Sequence, residues 1–426
     1  MGSIFIIVSF LVLFTIGCPF TLAIGLPSVL YFLINGIPLE VIFSRYLYSL
    51  DSFTLLALPV FIFSGNLMNS SGITNRLFRF ADTLVGRVPG GLAQVNVIAS
   101  LIFSGMSGAA LADVGGLGQM EIKAMTEKGF PKSFSAAVTV ATATVGPIFP
   151  PSIPFVLFGA VTGTSIVRLL LAGIVPALVT VFLLMVLTGY IGIKRHYPRQ
   201  ERMSTPKEIL DGLLPAIPAL CAPVFLIAGM LLGLFTPTEA AAIVVAYIMV
   251  IGFFIYKDLS FDHIREAAIL TVKQTGAICV IIATASLFGW VMTIEKVPLL
   301  FTRAMEPFMG NMVVLLIVIN ILLLIVGMLL DSNTATLIII PIIMPALLKT
   351  GLDPVQIGVI VVFNLMIGLL TPPMGLSLLM VSDMVGEPVG KVFRETLPFF
   401  VPLFLALAII TFIPTVSLWM PGLLIN

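Results

Sequence analysis

The chain has 426 residues, 59% of them hydrophobic and only 10% charged, with a formal net charge of +1. Soluble domains carry about 25% charged residues, so this composition cannot cover a water-exposed globule, and lipid must be the solvent for most of the chain. The near-balance of charge argues against a nucleic-acid partner. Three scattered cysteines (Cys18, Cys221, Cys279) and two histidines (His196, His263) form no metal-ligand spacing.

A membrane-crossing helix needs about 20 mostly apolar residues. Nine stretches qualify as crossings: 4–33, 53–70, 133–161, 169–193, 211–235, 239–256, 269–293, 354–381 and 396–420. The first lacks a basic leader region and a cleavage site, and predicts a retained helix. Two apolar regions read differently. Region 92–124 is interrupted by Ser104-Gly105-Met106-Ser107-Gly108 and holds Asp113; region 312–348 is interrupted by Asp331-Ser332-Asn333-Thr334. Their arms of about 14–19 residues enter a bilayer but barely cross it. Both predict re-entrant helical hairpins, whose polar tips are tolerated at depth only when buried in protein or facing water.

With the N-terminus placed in the cytoplasm, fifteen Lys/Arg fall in inside loops, among them Arg76, Lys123, Lys194, Arg195, Arg202, Lys257 and Lys391. Only Arg45, Arg168, Lys296, Arg303 and Lys349 fall outside. This bias obeys the positive-inside rule, and nine crossings then put the C-terminus outside. The polar stretch 194–207 reads as a cytoplasmic linker.

The two halves align at a constant offset of 222. Gly105-Met106 matches Gly327-Met328, Gly129 matches Gly351, Gly146 matches Gly368, Pro150-Pro151 matches Pro372-Pro373, and Pro176 matches Pro398. Glycine and proline set backbone shape, so a shared register predicts a shared fold. The expected fold is an all-α polytopic membrane protein of inverted-topology repeats, with two re-entrant hairpins and two broken helices, as in many secondary transporters. Its parts are a first repeat at 1–193, a linker and connecting helix at 194–235, and a second repeat at 236–426.

The broken helices are 133–161, interrupted at Thr144–Ser152, and 354–381, interrupted at Gly368–Pro373. Paired prolines remove backbone donors and free carbonyl oxygens, which with hydroxyls suit a hard cation such as Na⁺. Helix N-termini at the hairpin tips favour an anion. The candidate Na⁺ ligands are Ser104, Gly105, Ser107, Thr144, Gly146, Ser152, Gly327, Asp331, Ser332, Asn333, Thr334, Gly368 and Thr371. The candidate substrate contacts are Ser107, Asp113, Pro151, Ser332, Asn333, Asn364 and Pro373. Each Ser or Thr has an alternative role, bonding back to its own helix. Asp113 suits capping equally well, Glu239 after Thr236-Pro237-Thr238 reads as a cap, and Asn66, Asn320 and Asn364 could join helices instead. No Lys or Arg falls in the predicted midplane region.

The segments Ser104–Asp113, Gly146–Pro154, Gly233–Ala242 and Gly368–Gly375 together resemble the large membrane subunit of tripartite ATP-independent periplasmic (TRAP) transporters. The likeness runs through nearly the whole chain. Ser332-Asn333-Thr334 is also similar to the sodium-binding hairpin motif of divalent anion:sodium symporters. The TRAP resemblance implies Na⁺-coupled uptake of a C4-dicarboxylate, sialic acid or related carboxylate across the bacterial inner membrane, without ATP and by an elevator motion. It also implies a periplasmic substrate-binding protein and a small membrane subunit of about four helices, expected here as a separate chain. A self-sufficient sodium:carboxylate symporter is the alternative. An intramembrane enzyme is disfavoured because no HExxH, GxSxG or Walker A pattern occurs, and a channel fits inverted hairpins less well than alternating access.

Overall fold

A computed structural model describes residues 2–51, 53–199 and 205–425; the linker residues 200–204, Arg202 included, lie outside the described residues. The described chain is helical throughout. Its first half comprises α1 (Gly2–Thr15), α2 (Phe20–Ile34), α3 (Glu40–Leu50), α4 (Ala57–Ser70), α5 (Ile73–Val85), α6 (Leu92–Ser107), α7 (Ala110–Gly115), α8 (Leu117–Glu127), α9 (Lys132–Thr142), α10 (Ile153–Thr162) and α11 (Ile166–Lys194). After the linker come α12 (Pro206–Leu231), α13 (Pro237–Val250), α14 (Phe261–Ile294), α15 (Val297–Met309), α16 (Met312–Leu329), α17 (Ser332–Leu348), α18 (Pro354–Gly368), α19 (Leu376–Val385), α20 (Val389–Thr396), α21 (Phe400–Phe412) and α22 (Pro414–Leu424).

Six helices among the described residues are long and apolar enough to cross a membrane: α11, α12, α13 with its extension to Tyr256, α14, α16, and the run Val389–Phe412. Outward side chains on α11 and α12, such as Phe182, Val186, Val224 and Phe225, are apolar and exposed, a surface made for hydrocarbon. The chain is a polytopic α-helical membrane protein. The expected single crossing at 4–33 is divided into α1 and α2. Gly17 turns into the left-handed region at φ +88° and Pro19 lacks an amide donor, so the helix cannot continue between them. The stretch 396–420 is likewise divided, at Ile413-Pro414. Met312–Leu329, expected as a short hairpin arm, is 18 residues long and meets the length for a crossing.

Helix starts follow capping chemistry. Asn311 Oδ1 accepts from the Val313 and Val314 amides at 3.0 and 3.3 Å, and Asp353 Oδ1 accepts from Val355 at 2.8 Å. Glu239 is a cap, as the sequence predicts: it closes a capping box with Thr236, with Thr236 N donating to Glu239 Oε2 at 2.8 Å and Glu239 N to Thr236 Oγ1 at 3.3 Å.

Element boundaries recur at the offset of 222. α6 ends at Ser107 and α16 at Leu329; α7 begins at Ala110 and α17 at Ser332; α9 begins at Lys132 and α18 at Pro354. The correspondence has exceptions: α11 is one helix where the second half has α20 and α21. α14 is one 34-residue helix where the first half has α3 and α4, and α17 is continuous where the first half has α7 and α8.

The first arms of the broken helices form the centre. Every residue of α18 from Val355 to Gly368 is buried, as is every residue of α9 from Ser133 to Thr142. Ion pairs between distant segments join Arg76 to Asp258 at 2.5 Å, Arg195 to Glu395 at 2.6 Å and Arg168 to Asp353 at 3.5 Å. Each pair unites loops that the charge count assigned to one side of the membrane.

Candidate functional site

In the first half, α6 and α8 run antiparallel as a hairpin, with Asn96 near the start of α6 beside Met125 near the end of α8. Gly108, at φ +64°, ends the first arm. Its carbonyl accepts from Ile153 N at 3.2 Å, fastening the hairpin tip to the first turn of α10. α10 starts where it does because Ser152 caps it, accepting from Phe155 N at 3.2 Å, while the Ser152 hydroxyl donates to the Pro147 carbonyl. The chain between α9 and α10 is unwound, and Pro150-Pro151 is a cis peptide. Asp113, buried at the start of α7, presses its carboxylate against Gly146; a Cβ at Gly146 would overlap Oδ2. Glycine at this position lets the carboxylate reach the interrupted backbone.

Ser104 donates to Ser100 O and Thr144 to Ala141 O at 2.7 Å, so each hydroxyl is bonded back to its own helix and presents lone pairs rather than a free donor. Gly105 approaches Pro223 and Phe149. The side chain of Ser107 lies outside the described residues.

In the second half, α16 ends at Leu329, Leu330 is extended, and α17 begins at Ser332. Asp331 is its N-cap: the carboxylate accepts from Asn333 N at 3.0 Å and Thr334 N at 3.2 Å. Asn333 Oδ1 and Thr334 Oγ1 are buried and make no hydrogen bond among the described residues. Ser332 is buried beside them. Gly327 and Gly368 meet backbone to backbone, and a Cβ on Gly368 would fall onto Gly327. Gly375 N donates to Met328 O at 3.4 Å, and Pro372-Pro373 is a cis peptide. Thr371 bonds back to Ile367 O at 3.0 Å. Asn364 turns its amide to Asn320, at 2.7 Å to Oδ1 and 2.9 Å to the carbonyl, a contact between α18 and α16.

The halves exchange partners. α10 packs on α17 of the other hairpin, α19 packs on α7, and the turn at Ala143–Val145 packs on α18. Each broken helix therefore lays its second arm against the opposite tip. One polar cluster was not singled out from the sequence. Asn96 donates to Thr139 Oγ1 at 2.7 Å and accepts from Thr142 at 2.8 Å; Ser100 donates to Thr142 at 3.0 Å, and buried Glu121 stands within electrostatic reach of Asp113. Asp113 lies on α7 and Glu121 on α8, with Gly116 between them out of helical conformation, so no helical spacing in the sequence joins the two.

A family model described as the DctM component of the tripartite ATP-independent periplasmic transporter matches residues 7–416. The chain belongs to that family. This DctM-family chain is 41% identical to the sialic acid TRAP transporter large permease protein SiaM of Vibrio cholerae, over 88% of each chain. It is 36% identical to the C4-dicarboxylate TRAP transporter large permease protein DctM of Pseudomonas aeruginosa, over 87% of each. It is also 36% identical to the sialic acid TRAP transporter permease protein SiaT of Haemophilus influenzae, covering 97% of this chain and 67% of that protein. Among solved structures, the YdaH transporter of Alcanivorax borkumensis aligns with a TM-score of 0.66 at 14% identity, over 99% of this chain and 98% of that one. MtrF of Neisseria gonorrhoeae aligns at 0.61 and 15%, over 90% and 83%. At these identities the two structures carry the fold alone.

Proposed function

We propose that this chain is the membrane-embedded transport subunit of a Na⁺-driven importer for a small organic anion, set in the bacterial inner membrane with its N-terminus in the cytoplasm. The observation that carries the reading is the hairpin-two tip, where Asn333 Oδ1 and Thr334 Oγ1 are buried without a hydrogen-bond partner among the described residues. Buried oxygens left unpaired are costly, and a hard cation or a bound ligand relieves that cost. Carbonyls freed at the two proline-broken helices add oxygen ligands, and the N-terminus of α10, capped by the neutral Ser152, favours a carboxylate, while that of α17 already holds the Asp331 carboxylate. Ser104, Gly105, Ser107, Thr144, Gly146 and Ser152 form the cation side of half one; Gly327, Asp331, Ser332, Asn333, Thr334, Gly368 and Thr371 form that of half two. Asp113, Pro151, Asn364 and Pro373 frame the substrate.

The relatives named above act on sialic acid or a C4-dicarboxylate, both small organic acids. A soluble periplasmic protein delivers the anion, and a separate small membrane subunit stands beside the scaffold. The hairpins and broken helices slide as a unit against α4, α13 and α14. The two halves, 1–193 and 236–426, work as inverted repeats about the shared site.

Uptake into proteoliposomes tests this. Radiolabelled sialic acid or succinate should accumulate only with an inward Na⁺ gradient and only when the binding protein and small subunit are supplied. Equal uptake with K⁺ in place of Na⁺ would remove the coupling. Equal uptake without the soluble protein would favour a self-sufficient symporter.

A further inference from the structure

A cavity of about 650 Å³ lies between α3 and α14 on one side and α10 and α17 on the other. Its volume falls within the range of small-molecule sites. Arg45, Asp51, Ser49, Ser286, Trp290 and Thr293 supply its polar and aromatic wall, and α10 and α17 supply an apolar one. The Arg45 guanidinium rests over the Trp290 ring, 5.4 Å from its centroid, and makes no hydrogen bond or ion pair among the described residues. Stacking occupies the face of a guanidinium and leaves its N–H edge open, and that edge matches a carboxylate. Phe32, 5.0 Å from Trp290 between ring centroids, holds the indole in place.

The remaining polar groups favour hydroxyls over a second carboxylate. Ser49 and Thr293 donate to Tyr46 O at 2.9 Å and Gly289 O at 2.8 Å, so their oxygens face other partners as acceptors. Asp51 accepts from hydroxyls and repels a carboxylate. The cavity is also continuous with the mobile elements. Leu337 and Pro341 line it, five and nine residues beyond Ser332 on the same helix, which is roughly 7–14 Å along the axis. The hairpin tips have no guanidinium among their candidate residues; this cavity does.

We infer that this cavity is a second, outer binding station for a hydroxyl-rich monocarboxylic acid of the acidic-sugar type, its carboxylate on Arg45 and its carbon skeleton beside Trp290. The inference rests on the import reading and narrows its substrate class.

The chain has two tryptophans, and the other, Trp419 in α22, is exposed. In Trp419→Phe protein in lipid vesicles, tryptophan emission therefore reports Trp290 alone. Sialic acid should change it saturably, and succinate should need at least tenfold more. Arg45→Gln should weaken the sialic acid response at least tenfold, with Arg45→Lys recovering part of it. Asp51→Asn should strengthen the succinate response at least threefold; it decides alone if the Arg45 variants do not fold. Ser332→Ala should keep the Trp290 response. No saturable change with either acid while uptake proceeds would overturn the station and leave the import reading standing. So would a response indifferent to Arg45 and Asp51. A saturable response without any uptake in the complete system would instead remove the import reading.

Discussion

The Gly108 carbonyl accepts a hydrogen bond from Ile153 N, and the amide of Gly375, the residue matching Ile153 in the second half, donates to Met328 O. The donors correspond between the halves, the acceptors are two residues out of register, and in each half an amide just after the proline-rich break is fastened to the end of a hairpin's first arm. The joint is made of main chain, so its geometry depends on glycines that permit close approach.

Gly108→Ala tests the first joint. The residue sits at φ +64° and a Cβ would lie 2.5 Å from Pro151 O. Strain and overlap together should cost about 1–3 kcal/mol. Gly129→Ala, at φ +91° with nothing within 4 Å, isolates the backbone part. Thermal unfolding in detergent should rank Gly108→Ala clearly below Gly129→Ala; equal midpoints would remove the close-approach argument.

Gly368→Ala tests the second. Both neighbours at this crossing are backbone and cannot swing aside, so the loss should reach about 3 kcal/mol or more. Gly390→Ala, with open space around it, should stay within about 0.5 kcal/mol of the parent. The same unfolding assay separates them.

Asn96→Ala should destabilise by about 1–3 kcal/mol. It removes the partner of Thr139 and Thr142 together, inside a site where neither hydroxyl meets water. Chemical denaturation that leaves this variant at the parent midpoint would show that the cluster does not bind α6 to α9.

Ser332→Ala and Thr371→Ala should each raise the Na⁺ concentration for half-maximal uptake several-fold, with the protein still folded. Na⁺ titration of proteoliposome uptake reads this directly. An unchanged titration for both would exclude them as ligands.

Crosslinking α17 to α14 through cysteines at Leu337 and Ala285, which line one cavity, should stop uptake while substrate binding persists. Cys18, Cys221 and Cys279 need replacement first. Undiminished uptake in the crosslinked protein would rule out sliding.

Much of the framework was readable from residue types that dictate backbone. The breaks at Gly108 and at the two proline pairs fall where glycine and proline interrupt a helix; the one at Leu330–Asp331 has neither and is marked instead by the Asp331 cap. Apolarity alone read less well. It merged α1 with α2 across Gly17 and Pro19, and it started α14 at 269 when the helix begins at Phe261, because Asp262, Arg265 and Glu266 look like loop. The cluster of Asn96, Ser100, Glu121, Thr139 and Thr142 was not legible. Its members come from three separate segments, and only packing brings them together.

The fastening of tip to break through peptide groups has a consequence for divergence. Every residue carries a carbonyl and every residue but proline an amide N–H, so most substitutions leave these groups in place. The hydroxyls and carboxamides around them carry none of that joint. Side chains such as Ser332, Asn333 or Thr371 can therefore change over descent without removing the bonds of this joint, whereas the glycines that let its segments meet cannot.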